Sequence, residues 1–230
     1  MPSLSSPAAQ NELGLAAAVF DAAARAGVGK VVLISSGGTV YGDVAGPEPI
    51  TETQRVAPQS PYGGVMAAVE QLGFAMARSG RVECVVARLS NPYGPGQLPN
   101  RGQGLVAAVF DRLSRGEKVE IWGEGGTVRD YVYIEDAARG LLDAVRLPSL
   151  SVCHIASGLG IATRQVVADA AAAAGVPAQL VCRLDRDPGV RWNVLSPALM
   201  QARTGWRPEI GWDDGLARTA AWWRASADGG

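Results

Sequence analysis

The chain is predicted to be an α/β protein with a parallel sheet, on three observations. Short apolar segments of strand length alternate with longer segments of helical period along the chain. The segment Lys30-Val31-Val32-Leu33-Ile34-Ser35 is near-continuously apolar, the pattern of a strand covered on both faces. The helical segment before it is closed by Gly27 and Gly29, residues that let a helix end in a left-handed turn.

In order, Asn11 to Ala26 reads as a helix, with Leu13, Leu15, Val19 and Phe20 among alanines on its apolar face. The strand Lys30 to Ser35 follows, then a loop rich in Gly and Pro to about Pro58. Tyr62 to Arg78 has helical period, and Val82 to Leu89 is a second buried strand. Leu105 to Arg115 is a helix and Val119 to Trp122 a short strand. Ile134 to Val145 is a helix, Val152 to Ile155 a strand and Thr163 to Ala174 a helix. Gln179 to Cys182 is a short strand, and Trp212 to Ala225 a final helix carrying Trp222 and Trp223.

A chain of 230 residues suits one large domain or two small ones. It can bury roughly 70% of its unfolded surface, so no disulfide or metal is needed to stabilise it. The formal net charge of −1, with no basic block, argues against nucleic acid as a partner. No apolar run reaches the roughly 18 residues of a membrane span. Met1 to Gln10 lacks a basic segment followed by an apolar stretch, so a cytoplasmic protein is expected. Cys84, Cys153 and Cys182 each sit in an apolar run and read as buried free thiols. His154, the single histidine, lies in an apolar strand and reads as a core residue. Asp130, Glu135 and Asp136 read as caps of the following helix rather than as metal ligands, and no metal site is expected.

The segment Ser60-Pro61-Tyr62-Gly63-Gly64-Val65-Met66 has the form of a Tyr-x-x-x-Lys motif with methionine in the lysine position. Tyrosine and lysine at that spacing lie one helical turn apart on one face. The ammonium lowers the phenol pKa, so the tyrosine can act as a base near neutral pH. The Met66 thioether carries no charge and cannot do this.

Around it stand Ile34-Ser35-Ser36-Gly37-Gly38-Thr39-Val40-Tyr41-Gly42 and Ala87-Arg88-Leu89-Ser90-Asn91-Pro92-Tyr93-Gly94-Pro95-Gly96-Gln97. Further on come Gly123-Glu124-Gly125-Gly126-Thr127-Val128-Arg129-Asp130-Tyr131-Val132-Tyr133-Ile134-Glu135-Asp136 and Thr204-Gly205-Trp206-Arg207-Pro208. Each is weak alone. Five in this order and spacing resemble the extended short-chain dehydrogenase/reductase family, the NAD-dependent sugar-nucleotide epimerases and dehydratases, and are most similar to UDP-glucose 4-epimerase-like proteins.

The resemblance implies an incomplete Rossmann-like parallel sheet with helices on both faces, plus a small C-terminal α/β substrate domain. Residues 1–96 would be the remnant of the Rossmann-like domain, residues 97–230 mainly the substrate region, with about 124–158 returning to the first. It implies Tyr62, Thr39 and Ser36 as catalytic residues and Asn91, Trp122, Arg129 and Arg191 as substrate contacts. Asn91 would face the diphosphate, Ile121 and Trp122 the base, and the two arginines the phosphates, which a guanidinium fork binds bidentately.

It also implies NAD as cofactor, against three departures. The strand, Gly-x-x-Gly-x-x-Gly turn and helix that hold the pyrophosphate in the family are absent, with roughly the first 90 residues of the family pattern. Gly37 stands where a catalytic Ser or Thr is usual, and Tyr62 is followed by Met66. On the substrate side, Arg-x-x-Val-x-Asp reads Arg191-Trp192-Asn193-Val194-Leu195-Ser196, with Ser196 for the acid. The chain alone is therefore not expected to hold or use a dinucleotide.

Without the first half, the strand Val31 to Ser35 becomes a sheet edge that needs covering by Met1 to Gln10, a second copy or another chain, so a homo- or heterodimer is expected. Three functions compete. The leading one is a nucleotide-sugar binder degenerate in redox chemistry. The others are an epimerase or dehydratase whose NAD-binding half is missing here or supplied by a partner, and a non-catalytic subunit pairing with a complete relative.

Overall fold

The structure, a computed structural model, describes residues 7–99, 104–187 and 189–228. The elements are α1 (Pro7–Arg25), β1 (Lys30–Ser36), α2 (Pro61–Arg78), β2 (Glu83–Leu89), β3 (Asn91–Tyr93), α3 (Leu105–Ser114), β4 (Val119–Trp122) and β5 (Val128–Tyr133). They continue with α4 (Ile134–Ala144), β6 (Val152–Ile155), β7 (Gly160–Ala162), α5 (Thr163–Ala174), β8 (Leu180–Arg183), β9 (Trp192–Asn193), α6 (Ala198–Thr204) and α7 (Trp212–Asp228).

β1, β2 and β6 form a parallel sheet in that order. Alternation along β2 explains its unbroken apolar sequence. Cys84 and Val86 face one layer, with Phe20 of α1 and Phe74 of α2, while Val85 and Ala87 face the other, with Ala137 and Ala144 of α4, Met200 of α6 and Trp206. A strand buried from both sides has no polar face to show. A second sheet runs β3-β5-β7, with β9 also on β5, and only β5–β7 is antiparallel among these pairs. β4 and β8 form a parallel pair over a core in which α3, α5 and α7 meet Tyr93, Tyr131 and Tyr133.

β3, β5, β7, β9 and α6 have no counterpart in the sequence prediction. Each strand among them is short or broken by polar residues, and pairing with distant partners makes it a strand. β1 is the sheet edge, as the topology argument expects, and Ile34 on it is 49% exposed. Of the covering segment, residues 1–6 lie outside the described residues, and 7–10 open α1.

Cys84 and Cys153 are buried free thiols, whereas Cys182 is only half-buried, because β8 lies at the edge of its sheet. The acidic residues are corrected too. Asp130 accepts from the backbone N–H of Ser157 and Gly158, and Asp136 from that of Glu209 and Ile210. Both cap loops from elsewhere in the chain, and α4 has no side-chain cap. Among the described residues no cluster of three or more metal-ligating side chains occurs, and no helix is long and apolar enough to cross a membrane.

Candidate functional site

The start of α2 is set locally. Ser60 Oγ accepts from Gly63 N–H at 3.1 Å, and Pro61 occupies the first turn, where its missing N–H costs nothing. This places Tyr62 beside the turn that ends β1. In that turn Ser36 O accepts from the N–H groups of Thr39 and Val40. Gly63 lets the two segments touch, since a Cβ there would sit 2.6 Å from Thr39 O. The Thr39 backbone thus lies against the first turn of α2, which carries Tyr62, and Ser36 closes the same turn as Thr39. Thr39 Oγ1 is buried with no hydrogen-bond partner among the described residues.

Tyr62 is half-buried, and burial, with a smaller contribution from the Glu12 carboxylate, raises its phenol above the ordinary range. It is a proton donor at neutral pH, not a base. Met66 is 8% exposed and packs with Val40, Tyr41, Ile50, Ala156 and Leu195, with Tyr62 against the same cluster. A Cβ on Gly37 would overlap Leu195 Cδ1. Where the family motif has a cation and a hydroxyl, this chain has one continuous apolar cluster.

Asn91 and Arg129 sit on neighbouring strands. Asn91 pairs with Tyr131, and its Nδ2 donates to Asp130 O at 2.7 Å. The Arg129 guanidinium donates to Val128 O at 2.9 Å and Val190 O at 2.5 Å, and burial lowers its pKa. Arg191 is exposed and precedes β9, and its backbone N–H donates to Asp43 Oδ1. β9 pairs with Val128 and Arg129 and reaches the β1 turn, where Asn193 Nδ2 donates to Gly37 O at 3.0 Å.

Trp122 stands apart, at the end of β4. Val119 and Ile121 turn inward, and Trp122 turns outward, 52% exposed, with the Arg186 guanidinium 5.9 Å from its ring centroid. Sequence reasoning missed Arg186, whose only signal is its place in a charged loop shortly before Arg191. A surface depression of about 600 Å³ near Glu124, Arg164, Cys182 and Leu184 holds none of the predicted residues. Cys182 pairs with inward-facing Ile121, so the depression lies across the β4–β8 pair from the Trp122 ring.

A buried polar chain runs beneath the β1 turn. Glu70 accepts from Ser35 Oγ at 2.5 Å and from Arg88 Nε and Nη2 at 2.9 and 2.7 Å. Arg88 Nη1 donates to Tyr41 Oη at 2.6 Å, and that hydroxyl lies 2.5 Å from His154 Nε2. His154 Nδ1 faces Ser196 O at 3.3 Å, so Nδ1 carries the proton and Nε2 accepts from Tyr41. Glu52 Oε1 accepts from the His154 backbone N–H. The readable signal was Arg88: a charge inside an otherwise apolar buried strand requires a buried partner.

Burial, and then the nearby Arg88 charge, lowers the His154 pKa from 6.5 to about 3. Between those values the unfolded chain binds a proton that the folded chain refuses, so stability falls as pH drops through that window, by on the order of 4 kcal/mol from this residue. Glu52 acts in the opposite sense, since burial raises its carboxyl and folding then favours its protonated form. Urea unfolding from pH 7 to pH 4 is expected to show a shallower loss for His154→Gln than for the wild type. Equal slopes would exclude His154 as the source.

The NAD dependent epimerase/dehydratase family model matches residues 3–153. The chain is 30% identical over 210 residues to a dTDP-glucose 4,6-dehydratase of Actinoplanes sp., covering 90% of this chain and 64% of that protein. It is 30% identical over 205 residues to a UDP-glucose 4-epimerase of Mycolicibacterium smegmatis, covering 89% and 65%. It spans just under two thirds of the length of both. Its fold is similar to the UDP-glucose 4-epimerase of Thermotoga maritima with UDP-glucose, with a TM-score of 0.90, 30% identity and coverage of 95% of this chain and 71% of that one. It is also similar to the dTDP-glucose 4,6-dehydratase DesIV of Streptomyces venezuelae with NAD and TYD bound, at a TM-score of 0.86 and 26% identity, covering 96% and 67%. With the β1 turn, the capped α2 and the β3–β5 strands arranged as above, the chain belongs to the NAD-dependent epimerase/dehydratase family.

Proposed function

We propose that this chain binds a nucleotide sugar and does not itself perform the NAD-dependent redox step. The observation that carries the reading is the apolar cluster of Met66 and Leu195 beneath Tyr62 and Gly37. These residues do not fit nicotinamide redox chemistry. Among the described residues no cation lowers the Tyr62 phenol, and Leu195 fills the space of a side chain at position 37. The substrate side retains the groups a nucleotide sugar needs: an exposed indole at Trp122 for the base, Arg186 beside it and Arg191 at the surface for phosphate, and a protonated phenol at Tyr62 that can donate to a sugar oxygen. Ser36 and Thr39 line the same turn.

Calorimetric titration with UDP, dTDP and NAD tests this. UDP or dTDP is expected to bind and NAD to bind weakly or not at all. Trp122→Ala is expected to weaken the nucleotide about tenfold or more, the loss of one base–aromatic stack, without lowering Tm, because the ring is half in solvent. Tight NAD binding would overturn the reading. A second reading, a subunit completed by another polypeptide, is favoured by the edge position of β1 among the described residues, with Ile34 half exposed on it. Binding of no nucleotide, with light scattering above monomer mass, would select it.

A further inference from the structure

The turn that ends β1 is anchored by a side chain on each side of it. Ser35, just before it, donates from Oγ to Glu70 at 2.5 Å. Tyr41, just after it, accepts from Arg88 Nη1 at 2.6 Å, with the Arg88 guanidinium 4.9 Å from the centroid of its ring. Glu70 and Arg88 are themselves one buried ion pair, joined through Arg88 Nε and Nη2 at 2.9 and 2.7 Å. A single guanidinium fork therefore holds both ends of the segment that carries Ser36 and Thr39. The same pair ties that segment to α2. Tyr62, Met66 and Glu70 follow one another at intervals of four residues, along one side of the helix.

Stability alone gives no reason for charges there. Apolar residues of similar volume often hold a core as well as a buried ion pair does, or better. Apolar contacts lack direction, however. The Arg88 fork fixes the angle as well as the distance between Glu70 on α2 and Tyr41 beyond the turn. Within the turn, Thr39 Oγ1 has no partner among the described residues, so its place depends on the backbone and on the anchors either side.

We infer that Arg88, Glu70 and Tyr41 are positioning residues, which set the β1 turn against the start of α2 so that the glycosyl group of the nucleotide sugar meets Ser36, Thr39 and Tyr62 in one arrangement. This rests on the nucleotide-sugar reading above and adds to it the device that preorganises the sugar end of the site. All three residues are buried and act without touching the ligand. Trp122 and Arg186, assigned above to the nucleotide, lie on β4 and in the loop after β8, outside this clamp.

The test is calorimetric titration with UDP-glucose against UDP, and with dTDP-glucose against dTDP, together with melting curves. The wild type is expected to prefer the sugar-bearing ligand. Tyr41→Phe removes one hydroxyl and keeps the ring. It is expected to weaken the sugar nucleotide about fivefold or more and to leave the bare nucleotide within about twofold, the loss of a preorganised sugar site. Ser35→Ala, which leaves the ion pair whole, is expected to act in the same way. Arg88→Met with Glu70→Leu separates position from stability. It is expected to melt above Arg88→Met alone and still to lack the preference, because neither new side chain can direct Ser35 or Tyr41. Leu147→Ala is the control: it lies in the core at the far end of β1, where Lys30 Nζ donates to Leu147 O at 2.8 Å. It is expected to lower Tm and keep the preference. An unchanged preference in either single variant that folds overturns the inference and leaves nucleotide-sugar binding standing. So does a double variant that regains the preference with its Tm, or a Leu147→Ala that loses both, since the pair would then act on stability alone. Failure of both Tyr41→Phe and Ser35→Ala to fold overturns it for the same reason. Equal wild-type affinity for sugar-bearing and bare ligands overturns it and leaves nucleotide binding. Failure of the wild type to bind any of the four ligands overturns the nucleotide-sugar reading, and the inference with it.

Discussion

Arg88→Met is expected to destabilise the protein by roughly 3–5 kcal/mol, the cost of removing one partner from a buried ion pair. Arg88 and Glu70 are 4% and 1% exposed, so the Glu70 carboxylate would remain in the interior with only Ser35 Oγ to meet it. Tyr41 would lose the donor to its hydroxyl at the same time. For a chain of this size the loss is a Tm decrease on the order of 10 °C. The double variant Arg88→Met with Glu70→Leu is expected to be more stable than Arg88→Met alone, because the uncompensated charge goes with it. Urea denaturation of the two single variants and the double gives the cycle. A single-variant cost under about 1 kcal/mol, or simple additivity, would show that the pair is not acting as a buried unit.

Met66→Lys, which rewrites the motif to Tyr-x-x-x-Lys, is expected to destabilise rather than activate. The new ammonium would lie among Val40, Ile50, Ala156 and Leu195, at a position 8% exposed. Desolvation lowers a lysine pKa there by up to about 3–5 units, and each unit is about 1.4 kcal/mol, so a loss of up to about 4–5 kcal/mol at pH 7 is expected. The sign with pH follows. A folded lysine pKa below the unfolded value of about 10.4 makes the penalty complete only below the folded pKa, and still large at neutral pH. It is relieved as pH rises towards 10.4 and the unfolded chain also gives up its proton. Denaturation at pH 7 and pH 10 measures this. A variant as stable as the wild type at pH 7, with Tyr62 titrating near neutrality in the ultraviolet, would mean that the cluster accommodates a charge and that only one residue separates this chain from the ancestral base. Gly37→Ser does not complete the restoration, because Leu195 Cδ1 holds the space.

Local signals described much of the chain. The Ser60–Pro61 start of α2, the apolar strands β1 and β2 and the helices up to α5 follow from capping, glycine stops and periodicity, all short-range physics. The N-terminal boundary fell four residues late, since α1 opens at Pro7 rather than Asn11. β9 was invisible for a different reason: it is two residues long, and only its pairing with β5 defines it.

The candidate site divides in the same way. The sequence by itself determined the α/β class, the family's motif order and the loss of the lysine at Met66, because each is a statement about residue type and spacing along the chain. Tertiary structure alone decided that Leu195 fills the place beside Gly37, that the Arg129 guanidinium engages two carbonyls, that Asp130 and Asp136 cap distant loops, and that Arg88 finds Glu70 and, through Tyr41, reaches His154. Periodicity tells which side chains leave water. It carries no information on which buried group meets which, because that depends on strands and helices brought together from positions up to 158 residues apart in the sequence, as Leu195 is from Gly37.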